Sequence, residues 1–103
     1  MSNLDTKVRN QNLMTYGSLV KDYEQKEGMI MSAIDSLNLS IQLLDYVRTD
    51  FLPDNPEFDV IKENLNAATN YLFQAIQPEL RKALSNIQDL KKPYAEILNQ
   101  YKN

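Results

Sequence analysis

From Tyr16 to Phe51 an apolar residue recurs at alternating steps of four and three: Tyr16, Val20, Tyr23, Ile30, Ile34, Leu37, Ile41, Leu44 and Phe51. Only Glu27 and Arg48 interrupt the series. A period of 3.5 sustained this long belongs to an amphipathic helix lying along another helix. Sheets built from tight hairpins would need turn residues that are scarce here. The 103 residues include 2 glycines and no Asn-Gly or Asp-Gly, which favours an all-α fold in one domain.

Between Met29 and Val47 the stripe widens, as Met31, Ala33, Leu39, Leu43 and Val47 join the seam. Such width is expected where a helix meets two or more neighbours, whereas a two-stranded coiled coil uses a narrow stripe. Met14, Met29 and Met31 read as fillers of that core. Gly28, beside Glu27, marks a place for a kink or a close helix contact.

Residues 1–12 are polar and read as a frayed segment, leaving 13–103 as a single helical domain with helix 1 over 13–52. Pro53 disfavours the helical conformation at Leu52, Asn55 is suited to cap the next helix, and Pro56 to open it. The turn at 53–56 is short enough to make helix 2, over 57–101, antiparallel to helix 1. Helix 2 carries the series Ile61, Leu65, Ala68, Leu72, Ile76, Leu80, Leu84, Ile87, Leu90, Tyr94, Ile97 or Leu98, and Tyr101. Its phase continues through Pro78 and Pro93. This favours one long helix kinked or briefly broken at each proline over three separate helices.

An isolated hairpin leaves the wide face of helix 1 partly wet, so a homodimer completing a four-helix bundle is expected. Ile30, Ile34, Leu37, Ile41 and Leu44 are the expected interface on helix 1, with Leu72, Ile76, Leu80 and Leu84 on helix 2. Replacing Ile34 and Ile41 with Asp is then expected to abolish association. Residues 45–63 hold six acids against Arg48 and Lys62, while 79–103 hold five bases against three acids. That polarity favours the turn end of one hairpin meeting the open end of another.

The hairpin also brings Tyr16 and Tyr23 toward Tyr94 and Tyr101. These rings are expected either as a core layer with its hydroxyls at the solvent or as an aromatic patch for a partner.

The chain has no His and no Cys, which excludes Ser-His and Cys-His nucleophiles, disulfides and the usual zinc or haem ligation. The acids around the turn lack calcium-loop spacing and read as a solvated tip. No cofactor, metal site or enzymatic activity is expected. With net charge -3 and pI about 4.8, the chain is not expected to bind nucleic acid, and Arg81, Lys82, Lys91 and Lys92 read as a solvated face. No apolar run is long enough for a membrane span, so the expected compartment is the cytoplasm, although leaderless secretion leaves the same record.

In length, acidity and helix–turn–helix layout the chain resembles the small helical-hairpin proteins of type VII secretion, without their Trp-x-Gly turn. Pro53-Asp54-Asn55-Pro56 resembles the Pro-x-x-Pro turn of type III secretion needle subunits. The residues themselves point to a helical interaction protein, such as a small chaperone, adaptor or assembly subunit. The resemblances imply a secretion-system subunit as an alternative. A further alternative is a monomeric inhibitor or immunity-type bundle with true breaks at Pro78 and Pro93.

Overall fold

The computed structural model describes residues 3–102, with side chains described from 5 to 101. Helix α1 runs over Asn3–Tyr46 and passes into a π-helical turn at Val47–Phe51. After the turn, a single 3-10 turn at Pro56–Phe58 leads into α2 (Asp59–Tyr71), a second π turn at Leu72–Ile76, and α3 (Gln77–Lys102). The result is a helical hairpin, and no strand occurs among the described residues. Residues 1–12, expected as a frayed segment, are helical from Asn3 onward, while residues 1 and 2 lie outside the described residues.

The turn forms as its residues dictate. Leu52, ahead of Pro53, is extended with ψ of 133°. Asn55 Oδ1 accepts from the Glu57 N–H at 3.2 Å, and Pro56 opens the 3-10 turn. Asp54, Glu57 and Asp59 are exposed, as a solvated tip requires.

Neither Pro78 nor Pro93 divides the second arm into separate helices. Pro78 has no N–H, and its ring crowds the carbonyl four residues back. The π turn ahead of it relieves that conflict by widening the ladder, so that the Gln77 N–H donates to the Leu72 carbonyl five residues back. Pro93 sits within α3, which continues through it.

The π turn at Val47–Phe51 corrects the seam at its end. One extra residue per turn rotates Phe51 outward to 65% exposure and leaves Leu52 half-buried in its place. Upstream, every predicted seam position from Tyr16 to Arg48 is buried or half-buried. The methionines are also corrected: Met14, Met29 and Met31 are 76%, 73% and 52% exposed, outside the core.

The chain forms two compact units. One comprises Met1–Ile30 with Ala83–Asn103 and holds both termini; the other is Met31–Lys82 and holds the turn. Each is an antiparallel pair of helical segments with a thin core. Val20 in the first and Ile34 in the second are the buried apolar side chains. The widening residues of helix 1 are not covered within the chain: Leu39, Leu43 and Val47 are exposed.

At Gly28 α1 continues unbroken, and a Cβ built there meets nothing within 4 Å. The expected close contact is absent, so only the backbone entropy of glycine remains. Gly28→Ala is expected to stabilise the fold by about 1 kcal/mol, raising the thermal midpoint by roughly 4–8 °C. An unchanged or lowered midpoint in a calorimetric scan contradicts the open site.

Candidate functional site

In the termini-bearing unit the polar residues of the two seams meet each other. Lys91 Nζ lies 2.5 Å from Glu27 Oε1, with side-chain exposures of 25% and 13%. The Glu27 interruption of helix 1 is thus answered by a lysine on the opposing seam. Lys91, expected on a solvated face, faces inward, while its neighbour Leu90 is 53% exposed. Arg9 donates to the Tyr101 carbonyl at 2.5 Å, and Asn12 donates to the Tyr101 hydroxyl at 3.0 Å.

The four tyrosines come together as the antiparallel pairing predicts. Tyr94 stacks on both Tyr16 and Tyr23 with ring centroids 6.1 Å apart in each pair, and Tyr16 stacks on Tyr101 at 6.5 Å. All four are half-buried. These separations lie within the range in which aromatic pairs attract beyond simple burial. Ile30 and Leu84, of the expected interface, are half-buried in this same unit.

In the turn-bearing unit, Ile34 is buried and Leu37, Ile41, Leu44, Leu72, Ile76 and Leu80 are half-buried within the chain. Gln77, 8% exposed, donates its side-chain amide to Asn38 Oδ1, and Thr69, 3% exposed, donates to the Asn66 carbonyl of its own helix. The seam residues are therefore largely occupied by the chain's own second arm. What stays exposed lies to either side of it.

At about 100° per residue, turning back from the seam of α1 by roughly 60–140° reaches Ala33, Ser36, Ser40, Leu43 and Val47. The same rotation on α2 reaches Ile61, Asn64, Ala68 and Tyr71. Because the chain direction reverses between the two arms, both sets lie on the same broad side of the unit. All of these residues are exposed and none is charged. Both sets also follow heptad spacing, with steps of three and four.

The opposite rotation reaches Asp35, Asn38, Gln42 and Asp45 on α1 and Asp59, Glu63, Asn66 and Asn70 on α2. That side is acidic and rich in amides, with Met31 and Phe73 as exposed apolar residues. The two broad sides of one small unit thus differ in kind.

The helix 1 part of the uncharged side was visible in sequence as the widening stripe, but Ser36, Ser40, Ile61, Ala68 and Tyr71 were not assigned to it. A signal was available. Residues 28–44 contain a single charge, Asp35, and residues 64–78 contain none.

No group of three or more acidic side chains that could hold a metal ion occurs among the described residues, and no helix there is long and apolar enough to cross a membrane. Compared with known proteins, the chain matches no family, no curated protein and no solved structure.

Proposed function

We propose that this chain is a non-enzymatic helical interaction module, of the kind a small chaperone, adaptor or assembly subunit would be. It acts through the uncharged side of the turn-bearing unit. One observation carries this reading: Leu43, Ile61 and Tyr71 are 55%, 47% and 62% exposed on a side whose α1 and α2 positions carry no charge. Apolar side chains scattered singly over a surface need no partner, whereas a contiguous uncharged patch beside an acidic one is the usual mark of a protein interface. Completing a four-helix bundle is the simplest way to cover it, because two helices already present heptad-spaced residues to one side.

A photoreactive side chain at position 43 tests the reading in an extract of the native source. Protein adducts are expected from position 43 and not from position 70, on the acidic side. Equal yields from both positions, or none from position 43, contradict it.

A further inference from the structure

Resting on the interaction reading above, we propose that the occupant of the uncharged side is a second copy of this chain, packed antiparallel to the first. The side is graded in size along α1. Ala33, Ser36 and Ser40 are small, and Leu43 and Val47, nearer the turn, are large. A two-fold axis that reverses helix direction lays the large end of each copy on the small end of the other. Of the two in-phase heptad registers, the one that sets Leu43 against Ala33 leaves Ser36 opposite Ser40, whereas the other sets Leu43 against Ser40 and Val47 against Ser36. The second register alone places large residues on small ones, the alternation a dry interface needs. A parallel arrangement would stack Leu43 on Leu43 and leave Ser36 opposite Ser36, with a gap between the helices.

Charge selects the same arrangement. Residues 45–63 around the turn hold six acids against two bases. Parallel copies would bring two such turns together, and like charges juxtaposed at an interface are costly. Antiparallel copies place them apart. The α1 and α2 positions of the contact side carry no charge to be desolvated, and Glu79, exposed at the start of α3, is the acid on that side; Asp35, Asp45, Asp59 and Glu63 stay on the outward side, where they limit further stacking.

The absence of cysteine makes a clean test possible, because an introduced thiol is unique in the chain. Ser36→Cys and Val47→Cys, which the second register sets opposite each other, are prepared separately and oxidised alone and mixed. The antiparallel pair is expected to give a mixed disulfide between the two variants and little of either homodimer. Homodimers from each variant alone establish a parallel pair and overturn the orientation.

Sedimentation equilibrium supplies the second arm. The wild-type chain is expected at twice 11.9 kDa, and Leu43→Glu at half the wild-type mass with its helical circular dichroism retained. Leu43 is 55% exposed, so the substitution leaves the hairpin itself intact. A wild-type mass of 11.9 kDa with no cross-link overturns the second copy as occupant. Adducts of a different protein from position 43 would then leave the interaction reading standing, and their absence would remove both.

Discussion

Ile34→Asp is expected to unfold the chain instead of separating it from a partner. Ile34 is 7% exposed and is the buried apolar side chain of the turn-bearing unit, where the other apolar seam residues are only half-buried. Truncating such a residue alone costs about 2–5 kcal/mol, and a carboxylate left there without a partner adds a desolvation penalty. Small domains have about 5–15 kcal/mol in total, and this core is thin. Far-UV circular dichroism at 25 °C is expected to show loss of most helicity, whereas Ile34→Val is expected to cost about 1 kcal/mol in urea unfolding. A wild-type spectrum and urea midpoint for Ile34→Asp contradict the assignment of this residue to the core. Lost association of an Ile34 and Ile41 double variant, expected from sequence as the mark of an interface, would for the same reason report unfolding. Substitutions at Leu43 are free of that ambiguity.

Tyr94→Ala is the second large effect. Its ring stacks on Tyr16 and on Tyr23, each at 6.1 Å, so one substitution removes two aromatic pairs as well as half-buried area. Each pair is worth about 0.5–1.5 kcal/mol beyond burial, and the expected total is about 2–3 kcal/mol in urea unfolding. This measurement separates the two roles open to the tyrosines. A structural layer loses stability on the substitution, whereas a recognition patch for a partner would lose binding and keep the urea midpoint.

Arg48 illustrates how a seam tolerates a polar residue at some cost. It reaches Asp45 at 3.4 Å, but its buried Nε–H has no acceptor among the described residues. Leaving such a donor unpaired costs about 1–3 kcal/mol, so Arg48→Leu is expected to stabilise the fold by about 1 kcal/mol or more. A lowered urea midpoint would show that the arginine's other contacts outweigh its unpaired donor.

The first arm was legible in the sequence from Tyr16 to Arg48 because its seam follows ordinary helical geometry. Legibility failed at Phe51, where a π turn adds a residue that no apolar period records. On the second arm the expected Ile61, Ala68 and Leu90 are exposed, while the next residues, Lys62, Thr69 and Lys91, face inward. The displacement is by one position each time. Its physical reason is visible for two of them: Thr69 bonds to the Asn66 carbonyl and Lys91 pairs with Glu27. Polar side chains with such partners can occupy a seam, and a reading by apolarity alone selects their neighbours instead.

The uncharged side was half legible for a related reason. Its serines and alanines carry too little hydropathy to register as a stripe, yet small size is what lets a second helix approach. The absence of charge from 64 to 78 was the stronger signal, and it includes Asn64, Ala68 and Tyr71 of the uncharged side.

Hydroxyl-radical footprinting of the full chain in its native extract tests most directly whether this side is covered. Leu43 and Tyr71 are 55% and 62% exposed in the single chain, much like Met31 at 52% on the opposite side. Protection of Leu43 and Tyr71 with free labelling of Met31 is the predicted result. Labelling of all three in proportion to these exposures would show that nothing covers the uncharged side and would contradict the account.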